Sequence, residues 1–142
     1  MKKRLTNGFI ALGVLCIAFI VDFAIRGPRA RTHQEFIVEA LRSIPDVSDA
    51  SVTGVWSGYK TSNGSVNRHL VSGLSTSEVR RFYVDGLEQR GWKIACERLI
   101  GDRDRIVFTA NNEDTVVVDL PKQDSQITGE YSVQVSWGIS YC

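Results

Sequence analysis

The chain has 142 residues, with 17 Lys+Arg against 16 Asp+Glu and a formal net charge of +1, a composition that fits one globular domain. Such balance excludes a general nucleic-acid binder, which needs a dense basic face. Hydropathy is unevenly spread, because residues 8–21, GFIALGVLCIAFIV, carry no charge, whereas residues 26–142 hold 14 Lys+Arg and 15 Asp+Glu. That second part is long enough to bury a core of its own.

Met1-Lys2-Lys3-Arg4 ahead of an apolar run is the pattern of a secretory signal or a signal anchor. Residues 5–25 would span about 30 Å as a helix, the thickness of a bilayer core. Asp22 lies near the end of that run, where its cost falls below the roughly 2.5–3.5 kcal/mol of the bilayer centre. Cys16 follows Leu15 rather than a small residue, which argues against a lipoprotein signal. Cleavage after Ala18 is the alternative to retention, but the apolar run continues past it. Gly8 and Gly13 miss the four-residue spacing of a helix-dimer motif. Lys2, Lys3 and Arg4 oppose Arg26, Arg29 and Arg31 across the run, and the N-terminal cluster sets the expected orientation. Residues 1–25 are therefore expected to be a single-pass anchor, with the lipid bilayer as partner through residues 5–25. The N-terminus is placed in the cytoplasm and the C-terminal domain in the periplasm or outside the cell.

Residues 26–31, with Gly27-Pro28, read as a linker, and residues 32–142 as the extracytoplasmic domain. Thr32-His33-Gln34-Glu35 matches a capping box, followed by Phe36, Ile37, Ala40, Leu41 and Ile44 at helical spacing up to Pro45, so a helix is predicted over 33–44. Val52, Thr53, Val55, Trp56 and Tyr59 predict a strand across 50–59, interrupted by Gly54 and Gly58. Residues 60–65 are turn chemistry, and a strand over 67–72 pairs back. The sequon Asn63-Gly64-Ser65 falls in this turn and is read as turn chemistry. Ser75-Thr76-Ser77-Glu78 forms a second capping box; Val79, Phe82, Tyr83, Gly86 and Leu87 make one stripe, and Gly91 closes the helix.

Four alternating segments follow. Trp92, Ile94 and Cys96 form the first; Ile106, Phe108 and Ala110 the second; Val116, Val118 and Leu120 the third; Tyr131, Val133, Val135, Trp137, Ile139 and Tyr141 the last. Turns are read at Gly101-Asp102-Arg103 and Asn111-Asn112, with a polar loop after Pro121. A period of two over four segments means a sheet with one buried face. The expected fold is α+β: two amphipathic helices packed on one face of a curved, mainly antiparallel sheet, preceded by one transmembrane helix.

Cys96 and Cys142 both lie in the exported part, where a disulfide between them is permitted. In a simple meander their strands are separated by two others, so the bond requires either a C-terminal segment that crosses the sheet or a different strand order. A buried Cys96 thiol with a free Cys142 is the alternative.

Reaction chemistry is sparse. His33 and His69 have no ligand partner at i+4, no Cys-x-x-Cys occurs, and neither a Gly-x-Ser-x-Gly elbow nor a phosphate-cradling loop is present. No cofactor or metal is expected. Asp102 and Asp104 around Arg103 read as a solvated hairpin tip.

The run Ser75-x-x-Glu78-Val79-x-x-Phe82-Tyr83-x-x-x-Leu87-x-x-x-Gly91-Trp92 resembles a pattern in small exported bacterial domains of uncharacterised function, often lipoproteins or single-span membrane proteins. The resemblance implies an extracytoplasmic compartment and a docking helix leading into a strand; it implies no site residue, and the missing lipobox departs from the lipoprotein members. The function expected is a non-catalytic interaction module of the cell envelope whose partner is another envelope protein. Its contact surface is expected on the polar sheet face and adjoining loop, at Lys60, Asn63, Arg68, Ser132, Gln134, Ser136 and Ser140. The rival reading is a small-ligand or lipid carrier with a pocket lined by Trp92, Phe108 and Trp137; a hydrolase is a third.

Overall fold

A computed structural model describes residues 2–110, 114–122 and 129–142, with the side chains of residues 2–15, 18, 19, 22 and 23 outside that description. Helix α1 runs Lys2–Ser43, β1 Ser51–Tyr59, β2 Gly64–Val71, α2 Thr76–Glu88, β3 Lys93–Ile100, β4 Arg103–Thr109, β5 Asp114–Pro121 and β6 Glu130–Trp137. The expected turn at Asn111-Asn112 and most of the polar loop after Pro121 lie outside the described residues.

Helix α1 is continuous through residues 26–31, where a linker was expected. Pro28 removes one backbone donor from the ladder, yet the helix persists because its C-terminal half is pinned along one side. Ala30, Gln34, Ile37, Leu41 and Ile44, spaced four, three, four and three apart, are all buried. Continuity also dissolves the expected capping box: Thr32 sits inside the helix and its hydroxyl donates back to the Pro28 carbonyl at 3.1 Å, while Glu35 pairs with Arg31. Phe36, expected in the buried stripe, is 55% exposed; the stripe follows Ile37 instead.

Most of the apolar run 8–21 has no described side chains. Among the described residues no helix is long and apolar enough to cross a membrane.

Helix α2 forms as its sequence dictates. The Ser75 hydroxyl accepts from the Glu78 N–H and the Glu78 carboxylate accepts from the Ser75 N–H at 3.0 Å, closing the capping box. Gly91, at φ +86°, admits the left-handed turn that lets the Trp92 N–H reach the Leu87 carbonyl. Val79, Tyr83 and Leu87 are buried.

The six strands form one open antiparallel sheet in the order β1-β2-β6-β5-β4-β3. After the β1–β2 hairpin, α2 carries the chain to the far edge, and the meander β3 to β6 returns until β6 pairs with β2. The chain's last strand therefore lies inside the sheet. Register places Val66, Val133, Val135, Val116, Val118, Ile106 and Phe108 on one face, and these join the helix stripes in a single core. Truncating a fully buried side chain such as Leu87 to Ala there costs about 2–5 kcal/mol.

The opposite face departs from the one-sided expectation. Val107 and Val117 point away from the helices, yet each is 1% exposed. The chain beyond Trp137 leaves the sheet at Gly138, φ +64°, so Ile139 and Tyr141 do not continue the β6 stripe.

Asp49, in the loop after α1, clamps the loop before α2 by accepting from the Ser72 hydroxyl at 2.7 Å and the Gly73 N–H at 2.8 Å. Those two bonds, Ser72 first, hold its carboxyl below the ordinary range, and the Ser75 bonds do the same to Glu78. A depressed carboxyl gives its full stabilisation above the unfolded-state pKa and loses it as pH falls through the folded one. Urea midpoints are thus expected to fall on acidification below pH about 4, and Asp49→Asn should flatten that decline; identical slopes in both proteins would show that the clamp is not engaged.

Candidate functional site

Beyond Gly138 the chain crosses the outer face and ends at β3. Cys142 is bonded to Cys96, with Cα atoms 6.1 Å apart. The strand order between these cysteines is the simple meander, so the crossing segment is what makes the bond possible. A second condition is a β-bulge: Ile94 pairs with Phe108 but Cys96 pairs with Val107, leaving Ala95 as the extra residue. Strict alternation would have put Cys96 beneath α2; the bulge turns it outward.

Three further contacts fasten the strap. Tyr141 accepts from the Gln134 amide, and its ring lies 5.7 Å from the Arg105 guanidinium. Arg105 is held in turn by a bidentate pair with Asp119 at 2.7 and 2.8 Å, which, ahead of its own desolvation, raises its pKa. Arg98 donates to the Cys142 carbonyl. Gln134 is the cross-strand partner of Val117, and Cys96 of Val107. The strap therefore lies over the two outward valines, which accounts for their burial.

This cover redistributes the residues expected to form a contact face. Ser132 and Ser136 are buried, Ser136 against Thr115 at 2.7 Å. Gln134 is half-buried under Tyr141, while Ser140 stays exposed in the strap. Lys60 is exposed in the β1–β2 turn, where its N–H donates to the Asn63 carbonyl at 2.7 Å; Asn63 is half-buried. Arg68 lies on the opposite side of the sheet, donating to the Ile44 carbonyl at 2.9 Å and pairing with Asp46 at 2.7 Å. Those seven residues thus do not share one surface.

The open surface is elsewhere. Strand β1 is an edge, and its sequence SVTGVWSGY has no charge and no proline. Val52, Val55, Trp56 and Tyr59 are 50–64% exposed. Trp56 stands on the outer face between Gly54 and Gly58, and a Cβ at Gly58 would lie 3.0 Å from its ring, so glycine there lets the indole lie flat along the strand. The opposite edge is defended: β3 carries Lys93, Glu97 and Arg98, a bulge and the disulfide. A bulge between Val52 and Gly54 also interrupts β1, but from Gly54 to Tyr59 the pairing with β2 is regular.

Two polar brackets hold α1 against the sheet, one on β5 and β6 and the other on β1 and β2. His33 bonds Asp114 at 2.8 Å and stacks on Trp137 at 4.8 Å; among the described residues no hydroxyl or thiol is bonded to its ring. Gln34 donates to the Ser57 hydroxyl at 2.9 Å and to the Ser65 carbonyl at 3.2 Å. Gly64 sits between the brackets, where a Cβ would fall 2.2 Å from Gln34 Oε1 and 2.6 Å from Trp137 Nε1. The sequence places His33 on a helix and Asp114 after a turn, 81 positions apart, so only the tertiary fold reveals this pair.

Replacing Cys142 with Ser is expected to lower unfolding stability by about 2–4 kcal/mol, with reductant producing the same shift in the unaltered protein and none in the variant. Gly64→Ala should cost about 1–3 kcal/mol through overpacking; a calorimetric profile unchanged from the parent would show that α1 does not press on the hairpin there. No protein-family model, curated protein or solved structure matches the chain at a significant level.

Proposed function

We propose that this protein is a single-pass, membrane-tethered, extracytoplasmic module without catalytic activity, which receives an extended segment of another envelope protein along β1. The carrying observation is the chargeless, apolar, uncovered edge from Gly54 to Tyr59. An unpaired strand edge offers a row of backbone donors and acceptors that only another extended chain can match, and exposed side chains beside it supply selectivity. Natural sheets usually protect such edges with charge, proline or a covering segment. Here one edge has that protection and the other does not.

Two features support the compartment. The apolar run 8–21 behind a basic N-terminus fits a signal anchor, and a disulfide closing the C-terminus persists where the surroundings are oxidising. Phe108 and Trp137 belong to the packed core, which favours an interaction module over a carrier with a pocket among those rings.

A photoreactive amino acid at Val55 in living cells should give one defined adduct on irradiation, whereas the same probe at Leu99 on the opposite edge should not. Trp56→Ala is expected to weaken the association by roughly 2 kcal/mol, the scale of a buried aromatic anchor. Recovery of only uncrosslinked monomer from the Val55 position would overturn the reading of β1. A C-terminal reporter active only outside the cytoplasm should be active; silence from it would overturn the topology.

A further inference from the structure

A cleft of about 830 Å³ opens between the first turns of α1 beyond the apolar run and the tip of the β1–β2 hairpin, lined chiefly by Gly27, Pro28, Arg31, Tyr59, Lys60 and Thr61. We propose that this cleft seats the headgroup and upper acyl chain of an anionic membrane phospholipid, so that the hairpin tip rests on the bilayer surface. The proposal rests on residues 5–25 spanning the membrane.

Height supports it first. If the span ends at Ile25, Arg31 stands about 9 Å farther along the helix, and the polar zone of one leaflet is about 5–8 Å deep. Gly27 and Pro28 stand about 3–5 Å above Ile25, so the lower part of the cleft lies at headgroup level. Because α1 is helical without a break through Pro28, no flexible tether intervenes to lift the hairpin away.

The chemistry of the lining agrees. Gly27, Pro28 and Tyr59 line it together with Lys60 and Arg31, whose side chains are exposed. Arg31 pairs with Glu35 at a site where both side chains are largely exposed, so the pair yields readily to a phosphate. An apolar lining that also carries two exposed cations matches an acyl chain beneath a phosphate, and aromatic residues with Lys and Arg are the usual residents of the membrane interface. Below the cleft, Ile17, Ile20 and Ile25 are 59–65% exposed on α1, as side chains facing lipid would be.

The test uses the full chain reconstituted into phosphatidylcholine nanodiscs with or without phosphatidylglycerol, doped with a phospholipid carrying a photoreactive group near the top of its acyl chain. Crosslinks mapped by mass spectrometry should fall on Tyr59, Lys60 and Thr61 as well as within residues 5–25, and those on the hairpin should increase with phosphatidylglycerol. In Lys60→Glu and Arg31→Glu proteins the ratio of hairpin to span crosslinks should drop roughly fivefold per substitution, while span crosslinks and the Cys96–Cys142 bond persist. Span crosslinks without hairpin crosslinks in either lipid would overturn the headgroup site and leave the anchor standing. Absence of crosslinks from both, with protein released from the discs by alkali, would overturn the anchor and the site together.

Discussion

The bond between Cys96 and Cys142 sets the character of the molecule, because it forces the last residues across a face that the sheet would otherwise leave wet. A six-stranded sheet with helices on one side ordinarily needs only a single apolar surface. Here the inner strands are buried on both, with Val107 and Val117 under the strap and Ile106, Phe108, Val116 and Val118 under the helices. The strap works because three things coincide: the bulge at Ala95 turns Cys96 outward, Gly138 allows the chain to fold back, and the Arg105–Asp119 pair gives Tyr141 a cation to lie against. Loss of the covalent closure would leave these weaker contacts to hold a short, otherwise irregular segment against its own conformational entropy.

Much of this was legible from residues alone. The alternation in β4, β5 and β6 and the stripe and caps of α2 are local signals with local causes, and they predict the α+β class and the docking side of α2. What escaped is what local pattern cannot encode. A bulge shifts a side chain between faces without leaving a mark on period-two counting until the partner strand is known. The continuity of α1 escaped because Gly27-Pro28 is a genuine breaker, overridden by packing of Ala30, Gln34 and Ile37 against the sheet. Position in the chain puts Arg68 with the loop adjoining the expected contact face, but Asp46 and the end of α1 give it a partner on the core side.

The candidate surface was half legible. The glycines flanking Trp56 and the absence of charge over 51–59 were visible, yet they read equally well as a weakened interior strand; only the strand order makes β1 an edge. Conversely, the small polar residues of β6 suggested a wet face, and the position of β6 between β2 and β5, under a returning C-terminus, explains why Ser132 and Ser136 are buried. The two borders of the sheet thus differ in kind: one closed by covalent and charged devices, the other left with its backbone and an indole on display.

An unbroken α1 makes the chain a rod with a sheet fixed to its upper half. A helix advances by 3.6 residues per turn, so the azimuth at which β1 faces outward is set by the number of residues below it. Adding one residue between Ile25 and Gly27 would swing that border by about 100° relative to the helix below it while leaving the core contacts of Ala30 and the residues after it in place. Spacing in this stretch is therefore under a geometric constraint independent of which side chains fill it, and the direction from which a neighbour can approach is written in a count rather than in a composition.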